Sequence, residues 1–378
     1  MVRNSVEPED SEIRFLFLLM LRLLPFIALI LLGIGCAFYF VMPREGSNVS
    51  KNKDSGPNIP RISANRNASW LGEIGPTAST ELLSSIEKNL TTIPTAQAVV
   101  EIEEFLKGGE DRTTGLNLRI AKDGRLAGWP TLRVFLLDLL LKLNPGEASR
   151  ISREILSAYT SADEWAIALR NVAKGEDSVE NREYLRKQTE ALITNAEWQQ
   201  NPSVGFLNAF DVLVYVESTE SLPLLSGLVQ RKDRNDLAHA AFLTLDRLVQ
   251  RQPLKMLSLL KDDLALQQSR PEMTAQQFAR ADLRDVLQQD VVKEWLIDSS
   301  RTSTELENFA AIYPNNNRLV SNNLLTFDAQ TSGTELRKHD REVLEVIRRW
   351  QNDPSLEIRS RYLRTMETRI SHFINNAD

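Results

Sequence analysis

The chain has 378 residues, 45 Lys+Arg against 51 Asp+Glu for a formal net charge of −6, 42% hydrophobic residues and 25% charged ones. That balance excludes a collagen-like or wholly disordered chain, and it offers no basic footprint for general nucleic-acid binding. One Cys and three His exclude a disulfide scaffold and a Cys-rich zinc centre.

The strongest signal lies near the start. Residues Leu23 to Met42 carry no charge. Twenty residues in a helix at about 1.5 Å each span about 30 Å, the hydrocarbon thickness of a bilayer. Residues 15–42 therefore read as a transmembrane signal anchor behind a short tail, residues 1–14. Arg22 interrupts the apolar region and is placed to snorkel, and Pro25 sits near one end, where a helix tolerates it. A cleaved signal peptide fits less well, because the run is long and ends in Phe38-Tyr39-Phe40-Val41-Met42, an interfacial aromatic belt rather than a small-residue cleavage site. A lipoprotein signal fits Gly33-Ile34-Gly35-Cys36 but not the apolar residues after Cys36. Flanking charges are nearly balanced: Arg3, Arg14 and Arg22 before the span, and Arg44, Lys51, Lys53 and Arg61 after it. A short tail before one span and a large domain after it is the layout of a bacterial signal anchor. The expected location is the cell membrane, with the C-terminal domain exported, to the periplasm in a bacterium.

Residues 43–80 are rich in Asn, Ser, Gly, Pro and Lys and read as a flexible linker. About 36 such residues have an r.m.s. reach of about 33 Å. Sequons begin at Asn48, Asn67 and Asn89, as chance readily produces in an Asn-rich stretch. Trp70 and Leu71 are the linker residues suited to dock on a folded body.

Residues 81–130 form a helical and irregular lead-in. A helix follows Pro94-Thr95 and stops at Gly108-Gly109, and Asp123-Gly124 marks a turn that a short hairpin could use. Residues 131–378 read as an all-α, solenoid-like domain. Leu132–Leu143 is apolar nearly all round, which predicts a buried helix too short to cross a bilayer. Ser161-Ala162-Asp163-Glu164 has the form of a capping box opening a helix that ends at Gly175, and Thr274-Ala275-Gln276-Gln277 has the same form. Thr334 opens another helix. After Pro354, Ile358, Tyr362, Met366 and Ile370 predict one apolar stripe. The β-branched run Asp211–Val216 sits in a helical context. The body is thus expected to be all-α, with about a dozen helices.

An offset of 32 residues aligns 201–232 with 233–264. Ala209 then meets Ala241, Phe210 meets Phe242, Leu213 meets Leu245, and Leu225 meets Leu257. The pattern resembles paired-helix solenoid repeats of the HEAT type, and Asp353-Pro354-Ser355-Leu356-Glu357-Ile358-Arg359 is similar to the opening of a HEAT second helix. The resemblance implies stacked helix pairs and carries no activity with it.

Catalytic chemistry finds little support. His239, His339 and His372 are far apart, and no metal-ligand pair, nucleophile elbow or phosphate-cradling glycine loop occurs. Lys122-Asp123-Gly124-Arg125 has too few acids for a calcium loop. Glu217-Ser218-Thr219-Glu220-Ser221 superficially resembles the Glu-Ser pair of lytic transglycosylases but lacks the motif that follows it. Trp129-Pro130, Asn315-Asn316-Asn317 and the arginines Arg348, Arg349, Arg359, Arg361, Arg364 and Arg369 are binding candidates, each with a plain structural reading beside it. No catalytic, cofactor-binding or metal-binding residue is assigned, and no cofactor is expected. The leading expectation is a membrane-anchored helical-repeat module that binds a protein partner without covalent chemistry, with no nucleic acid. The alternatives are an envelope-polymer enzyme with loop carboxylates and a structural spacer.

Overall fold

A computed structural model describes residues 71, 74–75, 77–121, 123–158, 160–316, 324–327 and 331–376. The tail, the anchor at 15–42, the linker as far as Trp70, and the sequons at Asn48 and Asn67 lie outside the described residues. Among the described residues no helix is long and apolar enough to cross a membrane.

The described chain is mostly helical, as expected of an all-α body. The first helix, α1 (Thr80–Thr92), buries Leu83, Ile86 and Leu90 on one stripe, and the Ser79 hydroxyl accepts the Leu82 N–H at its start. Next comes α2 (Thr95–Lys107), whose Gly108 N–H returns to the carbonyls of Glu104 and Phe105. The turn at Asp123-Gly124 closes the anticipated hairpin, β1 (Arg119–Ile120) antiparallel to β2 (Leu126–Gly128). Gly124 has φ 75°, a conformation that favours glycine.

The last part of the stretch read as linker lies on the body. Leu71, Ile74 and Ala78 are buried, the Ala78 N–H donates to the Thr113 carbonyl at 2.9 Å, and Arg112 Nε donates to the Ile74 carbonyl at 2.9 Å. Apolar side chains spaced through the last part of the presumed linker draw it onto the body. The lead-in is not separate either, because its buried side chains belong to the same hydrophobic core as the later helices.

The predicted buried helix is α3 (Leu132–Leu143), capped by Thr131. Asn144 ends it and caps α4 (Pro145–Ile155), with Pro145 at the first helical position. Then follows α5 (Ala162–Gly175), packed on both. A Cβ on Gly175 would lie 2.6 Å from the Pro145 carbonyl and 2.5 Å from Ser149 Cβ, so glycine permits this close approach. The Ser161 hydroxyl accepts the Glu164 N–H, but Glu164 does not return the bond. Its carboxylate turns inward to Arg133, so the capping box is half formed.

The chain continues through α6 (Val179–Thr194), α7 (Ala196–Gln200), α8 (Val204–Ala209), α9 (Asp211–Tyr215), α10 (Leu222–Val229), α11 (Asn235–Arg251) and α12 (Pro253–Asp262). The β-branched run is helical, in α9. The 32-residue offset places α8–α9 on α11 and α10 on α12. Phe210 and Phe242 are both buried, as are Ala209 with Ala241, Leu213 with Leu245, and Leu225 with Leu257.

Short helices α13 (Leu264–Ser269) and α14 (Pro271–Phe278) come next. Thr274 is no cap: it lies inside α14 and its hydroxyl donates to the Arg270 carbonyl, while Pro271 starts the helix. Then α15 (Val286–Ile297) and α16 (Ser303–Ile312) close around an aromatic row, Phe278, Trp295, Phe309 and Tyr313, with successive ring centroids 4.6, 5.2 and 5.4 Å apart. A complete capping box does occur, at Thr302 and Glu305. The next helix, α17 (Gly333–Gln351), is capped by Ser332, two residues before the expected start. Pro354–Arg359 is a 3-10 turn and α18 (Ser360–Asn376) follows it. Tyr362, Met366 and Ile370 are buried as expected, but Ile358 is 77% exposed, because the tighter turn breaks the four-residue register.

Candidate functional site

Several charged side chains are buried inside the helical body. Among the described residues, these ion pairs have both side chains almost wholly buried: Arg133–Glu164, Arg170–Asp138, Arg247–Asp211, Arg280–Asp246 and Arg301–Glu305. The first four join residues 31, 32, 36 and 34 positions apart, so each links one helix layer to the next. Asp246 and Arg247 are neighbours on α11. The first reaches onward to Arg280 at 3.0 Å and the second reaches back to Asp211 at 2.6 Å. Removing one partner of such a pair leaves a charge stranded away from water.

The Asp211–Arg247 pair is held differently from the rest. A short non-helical segment, residues 324–327, returns from more than a hundred positions along the chain and lies against it. Asp211 Oδ2 accepts the Leu325 N–H at 2.7 Å and the Thr326 N–H at 2.9 Å. Oδ1 accepts from Arg247 Nη1 and from the Thr326 hydroxyl. Arg247 Nη2 donates to Thr326 Oγ1 and, at 3.4 Å, to the Thr326 carbonyl. Leu324, Leu325 and Thr326 are buried, while Phe327 is 47% exposed. Burial pushes the Asp211 carboxyl above the usual Asp range, against the pull of Arg247 and these donors.

Among the described residues, two of the cavities open elsewhere. One, of about 430 Å³, is lined by Glu103, Asp111, Arg133, Glu154 and Glu164 among others. Its Glu164 is held above the ordinary Glu value by burial, opposed by Arg133 and reinforced by Asp111. Asp111 Oδ1 accepts the backbone N–H groups of Arg112 and Arg133. The other cavity, of about 460 Å³, is lined by Arg280, Asp282, Arg284, Asn316, Lys338 and His339 among others. His339 Nδ1 lies 3.0 Å from Asp340, and its Nε2 lies 3.6 Å from Asp282.

The residues singled out by sequence occupy structural roles. Glu217 has φ 55° in the turn after α9 and accepts from Gln252. Glu220 is exposed and 3.2 Å from Lys255. Ser218 and Ser221 share a 2.8 Å hydrogen bond, and Ser221 donates to Glu190. Trp129 packs edge-on to Phe135 and donates from Nε1 to Asp138 at 3.1 Å. Asn315 is tied to Ala279 and Gln276 beside the cis Tyr313–Pro314 bond, Asn316 lines the second cavity, and Asn317 lies outside the described residues. Arg359 is buried and donates to the carbonyls of Leu296 and Asp298, whereas Arg348 and Arg361 pair with Glu367 and Glu307 at the surface. His239 and His372 are exposed on α11 and α18. Among the described residues no group of three or more His, Cys, Asp or Glu side chains is placed to hold a metal ion.

Sequence reasoning passed over the buried pairs. Their signal was present: Asp138, Arg170, Asp211 and Asp246-Arg247 are charges inside apolar helix stripes, each 32 to 36 residues from an opposite charge. No protein-family model, curated protein or solved structure matches the chain.

Proposed function

We propose that the chain is a membrane-anchored, solenoid-like helical-repeat protein whose body binds a protein partner non-covalently close to the membrane. The observation that carries this reading is the equivalence of buried positions in consecutive helix pairs, Phe210 with Phe242 and Leu225 with Leu257, keyed layer to layer by buried ion pairs. Stacked helix pairs present extended surfaces suited to polypeptide partners. The charge-free stretch Leu23–Met42 supports the anchor. Proximity labelling with the full chain in its native membrane tests the reading. A reproducible set of neighbours, absent when residues 1–80 alone carry the label, is expected. Identical labelling by the two would overturn it. Carbonate washing tests the anchor, and release of a chain that starts after about residue 40 would refute it.

One observation favours a second reading, an enzyme acting on envelope polymers. Asp111 and Glu164 line the same cavity, and Glu164 is the kind of raised carboxyl that serves as a general acid. Both are bonded to Arg133 or its backbone, which argues for a structural task. Loss of the cellular phenotype in Asp111→Asn, with folding intact, would favour the enzyme.

A further inference from the structure

The body grips four residues of its own chain in the way a receptor grips a peptide. One oxygen of Asp211 receives two successive backbone amides, Leu325 and Thr326, and so reads main chain rather than side chain. Side-chain selection comes from the neighbouring contacts. Leu324 and Leu325 are buried, and the Thr326 hydroxyl is fixed between Asp211 and Arg247. The segment has no secondary structure of its own here, and among the described residues this socket and the burial of three of its residues hold it.

We propose that the Asp211–Arg247 pair is a peptide-binding socket, occupied in cis by Leu324–Phe327, and that a partner polypeptide segment of the same chemistry takes that place. The segment it fits is two bulky apolar residues followed by Thr or Ser. Proline is excluded at the second and third positions, because each must donate an N–H. An aromatic residue at the fourth position projects outward, as Phe327 does. The inference rests on the interaction-module reading and gives it a site.

The physics dictates exchange rather than opening. An empty socket would leave a buried carboxylate short of three donors, a penalty that any incoming segment must lift. The resident segment also has the advantage of being tethered, equivalent to a millimolar effective concentration. A free peptide therefore competes weakly with the wild-type segment and binds well only where that segment is impaired.

The test uses the full chain in mild detergent and a fluorescein-labelled synthetic peptide of residues 320–330. The double variant Leu325→Pro with Thr326→Val removes one amide donor and the hydroxyl without touching the socket. It should bind the peptide at least about tenfold tighter than wild type. The same peptide carrying those two substitutions should not bind. Equal affinity of wild type and variant, or equal binding of both peptides, overturns the proposal. Wild type gives an arm free of folding risk: millimolar unlabelled peptide should speed hydrogen exchange at the Leu325 and Thr326 amides, and unchanged protection also overturns the proposal. Failure here alongside a reproducible set of labelled neighbours removes the socket and leaves the interaction reading standing. Success here without such neighbours removes the interaction reading and, with it, the partner segment proposed for the socket.

Discussion

Asp138–Arg170 and Asp211–Arg247 are the same chemical unit placed in two different settings. Asp138 receives Arg170 at 2.8 Å and the Trp129 indole at 3.1 Å, and the adjoining Asn171 amide donates to the Leu137 carbonyl. Every partner lies between residues 129 and 171, on elements that pack together anyway. Asp211 instead receives three of the four donors named above from Leu325 and Thr326, far away in the chain. The first pair is sealed by residues close to it in the chain, on helices that pack together. The second is completed by a returning segment, and so its integrity depends on an event outside its own helices. A buried ion pair is thus a lock in one place and a socket in the other.

The largest effects come from breaking either pair. Asp138→Ala and Asp211→Ala should each destabilise the body by about 3–5 kcal/mol in urea unfolding, since each strands a buried guanidinium. The comparison is sharpened by hydrogen exchange. Only Asp211→Ala should expose the Leu325 and Thr326 amides below the global unfolding free energy. Equal local protection in both variants would break the distinction.

Phe210→Ala and Phe242→Ala should cost about 3–5 kcal/mol each by creating cavities at two buried positions 32 residues apart. A several-fold disparity between them would count against the proposed repeat.

A smaller effect follows pH. The Glu164 carboxyl is raised in the folded state, so the folded chain takes up that proton before the unfolded chain does as pH falls. Its contribution to stability therefore declines as pH rises from the ordinary Glu value of 4.5 through the raised folded value. Glu164→Gln removes this titration. The Tm difference between pH 8 and pH 5 should be more positive in the variant than in wild type, and an unchanged difference would refute the assignment.

Least of all should depend on the loop acids. Glu220 and Lys255 are paired at the surface with both side chains more than half exposed. Glu220→Gln should shift stability by no more than about 0.5 kcal/mol.

Much of the helical layout was legible in the chain. The apolar density of Leu132–Leu143 and the breakers Asn144 and Gly175 act locally, and local signals survive folding. Thr274 misled because its position resembled a cap, while Pro271 three residues earlier had already fixed the helix start. Ile358 misled because periodicity cannot see a 3-10 turn intruding between Pro354 and Arg359. The socket was illegible for a deeper reason. Leu324-Leu325-Thr326-Phe327 is too short to show any period, and its partner lies 114 residues away in sequence. Only the anomalous burial-prone charge at Asp211 pointed to it.

The seam at Leu71–Ala78 has a mechanical meaning. Any tension arriving along the preceding chain enters the body there, and the first bonds to bear it are Arg112 to the Ile74 carbonyl and Ala78 to the Thr113 carbonyl. Thr77 and Thr113 form a parallel bridge, and Thr113 bridges in turn to Thr131, the cap of α3. Load is therefore handed from the seam through one residue to the start of the buried helix α3. Pulled from its amino-terminal side, the body would transmit force into its centre before yielding at its edge.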